Sequence, residues 1–376
     1  MRSHWLPFAV LLAPTLAAAQ RMPPVEVRVA PGESMQRAID QVASGGRVVL
    51  TAGTYRDNVR IAGKQVTIVG AGSRDTSWRP DDRGRPAVEL DDGGGGGLGG
   101  MTFIDAAIAV QGGPEDPDCT PDDVRRSSIR AAGDITLSDV SVRGGGLAVS
   151  GHFRNVVAQG VEVSGTLGGG IYLVPSGNVT FLDSIVADTG AVGLFVCNLS
   201  GTGTVALVDD HWNQNGGPGL VVLGHARPLL VLGSSASENR GAGVVLVDVG
   251  TAWLVELTIS FTKTTAQGEW GDGLAIWSSD DVSAQDLSVF TSARAGVSVF
   301  GCDPDDPTDL DLSGELLLYN NAISLDGETW APSGSCSGAG WDLHDSTSSK
   351  ECVVGYATVP CKVLSSGLMP PAPISD

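Results

Sequence analysis

A glycine followed by alternating apolar residues recurs about every two dozen residues through the middle of the sequence. The copies are Gly146-Leu-Ala-Val, Gly170-Ile-Tyr-Leu, Gly193-Leu-Phe-Val, Gly219-Leu-Val-Val, Gly243-Val-Val-Leu, Gly273-Leu-Ala-Ile, Gly296-Val-Ser-Val and, without the glycine, Ala322-Ile-Ser-Leu. Successive copies lie 24, 23, 26, 24, 30, 23 and 26 residues apart. A repeat of roughly 20 to 50 residues is typical of a solenoid, in which each repeat forms one coil that stacks on the next. The sequence therefore predicts one long repeat domain.

The composition favours strands as the elements of each coil. The chain contains 52 glycines, and 42% of its residues are hydrophobic. Many glycines together with many valines and leucines are typical of short strands joined by tight turns. Ahead of each glycine phrase lies a further pair of alternating segments, such as 135–142, whose outward residues are mostly small or polar. This alternation predicts sheets with one buried face and one face in water.

The N-terminal region combines one amphipathic helix with strands. Segment 33–43 places its apolar residues on one helical face, and Ser34 is its predicted N-cap. The helix, turn and strand segments are Ser34-Met-Gln-Arg-Ala-Ile-Asp, Ser44-Gly-Gly-Arg-Val-Val-Leu, Ala52-Gly-Thr-Tyr-Arg-Asp-Asn-Val and Val66-Thr-Ile-Val-Gly. Because a solenoid must cover the open ends of its core, we expect this helix to cap the N-terminal end.

These segments and the repeats resemble the N-terminal cap and the coils of the pectin-lyase-like superfamily. The resemblance implies an all-β fold, a right-handed parallel β-helix over residues 21–326 with an N-terminal amphipathic capping helix. Residues 327–376 no longer follow the repeat, and we expect an irregular C-terminal segment that contains disulfides. The resemblance concerns the fold and leaves the activity open, because one fold carries many functions.

Residues 1–20 have the features of a signal peptide. Arg2 precedes a short apolar run, and Ala17-Ala18-Ala19 provides small residues for cleavage. The apolar run is too short to span a bilayer, although a membrane anchor remains the alternative interpretation. We therefore expect a secreted, periplasmic or cell-surface protein with no membrane span.

Export to an oxidising compartment favours disulfides among the six cysteines. A zinc site is a rival interpretation, but no pair of cysteines has the close spacing typical of zinc ligands. We predict the pairs Cys302–Cys336, Cys352–Cys361 and Cys119–Cys197.

The formal net charge of −20 limits the partners. Nucleic-acid binding needs a basic stripe, and none is visible, so this role is excluded. An acidic surface also repels acidic polysaccharides unless a cation bridges the two. No cofactor is expected except Ca²⁺, for which one loop is rich in carboxylates. The Ca²⁺ candidates are Asp303, Asp305, Asp306, Asp309 and Asp311.

The second and fourth residues after each repeat glycine should point away from the core. These positions are Ala148/Ser150, Tyr172/Val174, Phe195/Cys197, Val221/Leu223, Val245/Val247, Ala275/Trp277 and Ser298/Phe300, and none is charged. Strands that are apolar on both faces are usually covered on both faces. We therefore expect this apolar outer strip to be covered by residues 327–376, by a homo-oligomer or by a long partner. Enzymes of the superfamily usually carry charged residues here, so the strip argues against catalysis.

The longest step of the repeat inserts a loop at 263–281. A tryptophan beside carboxylates suits sugar binding, and two carboxylates at the right separation suit hydrolysis. The sugar-binding candidates are Trp212, Glu238, Arg240, Lys263 and Trp270. The catalytic candidates are Glu269, Asp272, Asp209 and Asp210. The alternative to a functional loop is a solvated acidic turn.

Three functions compete to explain these features. The first is a secreted β-helix protein that binds a polysaccharide or a cell-surface partner without clear catalytic machinery. The second is a polysaccharide lyase, glycoside hydrolase or epimerase with an atypical acidic site around the 263–281 loop. The motifs of pectin methylesterases, polygalacturonases and alginate epimerases are incomplete, and Asp209-Asp210-His211 matches only part of one. The third is a periplasmic assembly factor that helps to mature metal sites. The Met and His residues are scattered along the sequence, which disfavours copper handling.

Overall fold

The fold is described from a computed structural model. It covers residues 23–90, 95–104, 127–197, 203–224, 227–265, 271–277, 279–300, 309–313, 317–319, 341–345 and 364–365. Over these ranges the chain winds into a solenoid of parallel strands that form three ladders, which we call sheets 1, 2 and 3. The predicted parallel β-helix is therefore confirmed.

Sheet 1 contains the glycine-phrase strands together with the strands that continue their ladder at both ends. Its members are β4 (Val59–Ile61), β7 (Val88–Leu90), β12 (Ile171–Pro175), β15 (Leu194–Cys197), β18 (Leu220–Leu223), β21 (Ala242–Val247), β24 (Asp272–Trp277), β27 (Ala295–Phe300), β30 (Trp341–Asp345) and β31 (Leu364–Ser365). Three long strands bend through more than one sheet. They are β8 (Gly95–Ile104), β9 (Ser127–Arg143) and β10 (Leu147–Gln159).

Sheets 2 and 3 complete each coil. Sheet 2 contains β1 (Glu26–Val29), β2 (Gly46–Leu50), β5 (Gln65–Val69), β13 (Val179–Leu182), β16 (Val205–Val208), β19 (Pro228–Leu232), β22 (Thr251–Val255), β25 (Asp281–Gln285) and β28 (Asp309–Ser313). Sheet 3 contains β3 (Gly53–Tyr55), β6 (Thr76–Trp78), β11 (Glu162–Ser164), β14 (Ile185–Ala187), β17 (His211–Asn213), β20 (Ser235–Ser237), β23 (Thr258–Ser260), β26 (Ser288–Phe290) and β29 (Leu317–Tyr319).

Each strand pairs in parallel with the equivalent strand of the next coil. In sheet 1, β15 pairs with β18, and β18 pairs with β21. The register keeps like positions together, so that Leu194 lies opposite Leu220 and Leu220 opposite Val244. Inward residues from all three sheets form one continuous apolar core. This core is the main source of stability in a solenoid, since each coil buries its apolar face only against its neighbours.

Close packing explains why glycine recurs in the phrase. A Cβ atom at Gly219 would lie 2.6 Å from Asn239 Nδ2, and one at Gly243 would lie 2.3 Å from Ile259 Cγ2. A Cβ at Gly193 would likewise lie 2.7 Å from Asn215 Nδ2. These distances are shorter than any real side-chain contact. Sheet 1 therefore approaches the turn from sheet 3 too closely for a side chain.

A buried asparagine ladder stabilises this same turn. The backbone N–H of Asn215 donates to Asn239 Oδ1 at 3.0 Å, and Asn215 Nδ2 donates to that oxygen at 2.9 Å. Thr189 Oγ1 donates to Asn215 Oδ1 at 2.9 Å in the preceding coil. The ladder satisfies polar groups that burial would otherwise leave unpaired.

The predicted helix is present as α1 (Met35–Gln41). Ser34 is its N-cap, and the Ser34 Oγ accepts a hydrogen bond from the backbone N–H of Arg37 at 3.3 Å. Met35, Ala38 and Ile39 are buried. Its expected role as the cap of the solenoid remains a prediction. Among the described residues, no helix combines the length and the apolar character needed to cross a bilayer.

The C-terminal segment contributes strands to the solenoid where the structure describes it. β30 pairs in parallel with β27, and β31 pairs in parallel with β30. Two short strands of this segment thus extend sheet 1. The repeat phrase is absent there because these strands lack the glycine that marks the earlier coils. The expectation that residues 327–376 form an irregular segment with disulfides remains a prediction.

Candidate functional site

The apolar outer strip of sheet 1 faces away from the core, as its sequence predicts. Phe195, Val221, Val245 and Ala275 form an apolar cluster that is separate from the core. Tyr172 stacks on Phe195 with ring centroids 4.3 Å apart. Most of the cluster is buried, and Val221 is only 2% exposed. This part of sheet 1 is therefore closed to a ligand, and what covers it remains a prediction.

Asp272 is buried in an ion pair at the margin of this strip. Arg294 Nε donates to Asp272 Oδ1 at 2.6 Å, and Arg294 Nη2 donates to Asp272 Oδ2. Burial lowers the pKa of Arg294, but the charge and hydrogen bonds of Asp272 outweigh it, so the net shift is upward. The pair holds both charges in place, so Asp272 is not an accessible acid. The prediction of Asp272 as a catalytic residue is therefore not supported by its position.

Sequence reasoning missed Arg294 as the partner of Asp272. Each residue lies just ahead of a repeat glycine, Asp272 before Gly273 and Arg294 before Gly296, in consecutive coils. The sequence signal for this ion pair was the presence of opposite charges at nearly the same distance from the repeat glycine in adjacent coils. Consecutive coils place such residues beside each other because the parallel register repeats.

Asp209 and Asp210 lie on opposite sides of the solenoid wall. Asp209 is exposed at the turn between sheets 2 and 3, whereas Asp210 is buried and 1% exposed. The backbone N–H of Ser184 donates to Asp210 Oδ1 at 2.8 Å, while Asp210 Oδ2 has no hydrogen-bond partner. Burial raises the pKa of Asp210 to about 7, and the nearby charges of Asp183 and Asp209 contribute. The two carboxyl groups thus do not form a catalytic pair that faces one ligand.

Trp212 is part of the core, which corrects its assignment as a sugar-binding residue. Its side chain is 1% exposed and belongs to the main apolar cluster. Trp212 occupies the middle position of β17, between the outward-facing His211 and Asn213. Alternation along a strand directs such a residue inward. A buried indole offers no surface on which a sugar ring could stack.

Two of the sugar-binding candidates, Glu238 and Lys263, are in contact. Lys263 Nζ donates to Glu238 Oε2 at 3.1 Å. Gln214, one coil before Glu238, donates from Nε2 to Glu238 Oε1 at 3.4 Å. Arg240 is exposed nearby and lies opposite Lys263 in a parallel bridge. These contacts place an amide, a carboxylate and an ammonium on consecutive coils at the edge between sheets 3 and 1.

An exposed aromatic ring completes this edge. Phe261 follows Glu238 at the equivalent position of the next coil and is 50% exposed. Its ring meets Phe290 edge to face, with centroids 6.1 Å apart. We call Gln214, Glu238, Phe261 and Lys263 the edge site. Sequence reasoning missed Gln214 and Phe261.

A shared backbone conformation aligns the edge site. Gln214, Glu238 and Phe261 have φ values of 56°, 55° and 53°, in the left-handed region. Each directly precedes a buried residue of the ladder position, namely Asn215, Asn239 or Thr262. The offset from the asparagines was therefore the signal that could have identified Gln214 and Phe261.

The charge state of the edge site follows from its contacts. The hydrogen bond from Lys263 lowers the pKa of Glu238, and partial burial opposes this only in part. Glu238 is therefore ionised at neutral pH. Both side chains remain partly open to solvent, with exposed fractions of 42% for Glu238 and 38% for Lys263. An exposed pair of this kind adds little to stability, but it can reorganise around a ligand.

Several predicted residues lie outside the described residues. They are Glu269, Trp270, Asp303, Asp305, Asp306, Cys119, Cys302, Cys336, Cys352 and Cys361. Asp309 and Asp311 belong to β28. Within the described ranges, no group of three or more His, Cys, Asp or Glu residues could hold a metal ion. The Ca²⁺ site and the three disulfide pairs remain predictions.

Comparison with known proteins identifies the fold. No protein-family model matches the sequence, and neither does any curated protein. A mutant of the periplasmic alginate epimerase AlgG aligns over 80% of this chain and 79% of its own, with 10% identity and a TM-score of 0.53. A double mutant of AlgG aligns over 80% of this chain and 78% of its own, with 11% identity and a TM-score of 0.52. The likeness to AlgG shows a shared fold, the right-handed parallel β-helix.

Proposed function

We propose that this protein binds a polysaccharide at the edge site and does not cleave it. The observation that carries the proposal is the alignment of Gln214, Glu238, Lys263 and the exposed ring of Phe261 on consecutive coils. A sugar offers apolar ring faces and a rim of hydroxyl groups. An exposed aromatic ring beside a carboxylate, an ammonium and an amide suits both features.

The spacing of the coils supports a chain-like ligand. Neighbouring strands in a sheet lie about 4.8 Å apart, so equivalent side chains recur at that distance along the solenoid axis. The edge site spans three consecutive coils, from Gln214 through Glu238 to Phe261. A polymer that runs along the axis can contact several coils in turn, whereas a single sugar cannot.

The ionisation of the candidates argues for binding over hydrolysis. A glycosidase needs one protonated carboxyl group as general acid, usually with a raised pKa, opposite a second carboxylate. At the edge site the pKa of Glu238 is lowered by Lys263. Asp272 and Asp210 are buried, and the exposed Asp209 lies on the opposite side of the solenoid wall from Asp210. The alternative function, a lyase, hydrolase or epimerase, would rest on Glu269 in the 263–281 loop.

The proposed location is outside the cytoplasm. The features of residues 1–20 predict export, and the AlgG proteins that share the fold are described as periplasmic. The structural likeness to an alginate epimerase also makes an acidic polysaccharide a natural first ligand to test. Because the chain carries a formal net charge of −20, we expect binding of such a ligand to strengthen when Ca²⁺ is present.

Titration calorimetry with alginate, pectate and chondroitin sulfate, with and without Ca²⁺, tests the proposal. Phe261→Ala should weaken binding of the preferred polysaccharide roughly ten-fold, because loss of an aromatic contact is worth about 1 kcal/mol or more. Lys263→Met should weaken it by a similar factor through the loss of the charged donor.

The matched control is Trp253→Ala, since Trp253 is similarly exposed at 45% but lies on sheet 2. Its affinity for the polysaccharide should equal that of the wild type. Equal weakening by Phe261→Ala and Trp253→Ala would contradict the edge site. Absence of binding to every polysaccharide, with and without Ca²⁺, would contradict the proposed function itself.

A further inference from the structure

Sheet 2 carries an apolar outer face that its sequence pattern does not predict. Two outward positions on each strand stack into columns through the parallel register. The large apolar members are Leu182, Val208, Leu230, Leu232, Trp253 and Val255. We call these six residues the sheet 2 face. The expectation that outward residues are mostly small or polar is therefore wrong for these coils.

The sheet 2 face is open to solvent and uncharged. Trp253 is 45% exposed, and the other members are partly exposed. Leu230 lies opposite Trp253, and Leu232 lies opposite Val255, so the apolar side chains touch across neighbouring coils. Four coils at about 4.8 Å each give a strip nearly 20 Å long. A contiguous apolar patch of this size on a soluble protein usually marks a contact surface.

A row of carboxylates borders this face on one side. The residue after each strand turns the chain toward sheet 3 in the left-handed conformation, and it is Asp183, Asp209 and Glu256 in three of these coils, with φ values of 52°, 56° and 54°. All three are exposed. In the coil that lacks a carboxylate, a Cβ on Gly233 would lie 2.3 Å from Asp209 Oδ1, so the carboxylate of Asp209 extends over the gap. Three carboxylates therefore border the apolar columns over four coils.

Size and charge together select the kind of partner. A strip of two columns over four coils covers a few hundred Å², well below the roughly 800 Å² per partner of a stable protein interface. A second copy would also bring the same carboxylate row and a further net charge of −20. A short segment with apolar residues on one side and Lys or Arg residues along the other would match both the columns and the row.

We propose that the sheet 2 face and its carboxylate row bind a basic amphipathic segment of a partner protein. The apolar side of the segment packs on Trp253 and the leucine columns. Its cations pair with Asp183, Asp209 and Glu256. The face lies on a different sheet from the edge site, so a protein partner and a polysaccharide can bind at the same time.

A synthetic 14-residue peptide of alternating Leu and Lys residues is the probe, and its affinity is measured by fluorescence anisotropy at two salt concentrations. Trp253→Ala and the triple variant Asp183→Asn, Asp209→Asn, Glu256→Gln should each weaken binding at least ten-fold. The control triple variant, Asp40→Asn, Glu162→Gln, Asp188→Asn, removes the same charge from exposed positions elsewhere. It should weaken binding less than two-fold.

Thermal unfolding of each variant establishes that it is folded before its affinity is compared. Equal losses in the two triple variants would show that only net charge matters, and would overturn the proposal. Unchanged affinity in Trp253→Ala would overturn it as well. Two further results would overturn the proposal. One is a dimer in sedimentation that Trp253→Ala dissociates, and the other is polysaccharide binding that Trp253→Ala abolishes. Each would assign the sheet 2 face to another occupant.

Discussion

At the scale of single residues, Asp210 is the least expected group in the structure. It sits in a buried corner between sheets 2 and 3, where the equivalent residues of the adjacent coils are Ser184 and Ser234. The two serines accept a backbone N–H from the preceding coil and donate to a carbonyl two residues earlier, Leu182 O at 3.1 Å and Leu232 O at 3.0 Å. A carboxylate can accept but cannot donate, so ionised Asp210 fits this corner poorly.

The raised pKa of Asp210 makes stability depend on pH. The folded value of about 7 lies above the ordinary value of 3.8, so the folded chain holds this proton over a range where the unfolded chain has lost it. Asp210 therefore lowers the free energy of unfolding progressively as pH rises from about 4 to 7, with little further change above. Between pH 5 and pH 8 the loss should be about 2 to 3 kcal/mol.

Urea unfolding of Asp210→Ser at pH 5 and pH 8 checks this expectation. The variant reproduces the corner of the neighbouring coils and should remove most of the pH-dependent loss. The matched control is Asp209→Asn, which removes an exposed carboxylate next to it and should keep most of the wild-type dependence, because burial is the main cause of the raised pKa of Asp210. An unchanged difference between the two pH values in Asp210→Ser would refute the assignment.

The catalytic and sugar-binding candidates show what a sequence can predict at this scale. Glu238 and Lys263 are both sugar-binding candidates from the sequence, and they form an ion pair. They are close because Lys263 lies opposite Arg240, which follows Glu238 by two residues in the preceding coil. The prediction of Trp212 as a sugar-binding residue is wrong, because alternation along its strand turns the side chain into the core. Offsets predict which residues are neighbours, but alternation along each strand decides which side chains face the core.

At the scale of the coil, the turn from sheet 3 to sheet 1 is the most tightly packed element. The repeat glycine, the asparagine ladder and the left-handed residue before it occupy the same corner in consecutive coils. Packing leaves no room for a Cβ, and the ladder supplies the polar contacts. This explains why the glycine phrase was the clearest signal in the sequence.

Replacement of Gly219 by alanine tests that explanation. The new Cβ would lie 2.6 Å from Asn239 Nδ2, 2.8 Å from Gly243 O and 3.0 Å from Trp212 Cβ, so backbone and ladder must both shift. We expect a loss of about 2 to 3 kcal/mol in the free energy of unfolding, typical of overpacking in a tight core. Chemical denaturation of the variant measures it.

Gly97→Ala provides the comparison within the same solenoid. Its Cβ would come no closer than 3.3 Å to a methyl group of Thr67, so the free energy of unfolding should change by less than about 1 kcal/mol. Similar losses in Gly219→Ala and Gly97→Ala would show that the repeat glycines serve another purpose than close packing.

At the scale of the whole molecule, the sequence predicts the fold better than the surfaces. The repeat period identifies parallel coils because every coil uses the same local pattern, and the ladders confirm it. Val221 and Val245 are buried although they face away from the core, and what covers them remains a prediction. The sheet 2 face was missed because large apolar residues such as Leu230, Leu232 and Trp253 occupy its outward positions in only a few coils. A pattern that is shared by every coil does not include them.

The candidate contact surfaces lie on different sides of the solenoid. Sheet 1 is closed over the outer strip, the edge between sheets 3 and 1 carries the edge site, and sheet 2 carries the apolar face with its carboxylate row. None of the described catalytic candidates combines exposure with a second carboxylate and a raised pKa. Binding without cleavage is the function that we propose from these surfaces, and it is the central claim to test.

Incubation of the protein with the polysaccharide that it binds best, followed by proton NMR of the polymer, tests that claim most directly. Anomeric signals report cleavage and epimerisation, and olefinic signals report lyase products. We predict saturable binding in calorimetry with an unchanged spectrum after prolonged incubation. New reducing ends, unsaturated ends or altered uronate composition, lost in the Glu269→Gln variant, would contradict the account and establish the enzyme instead.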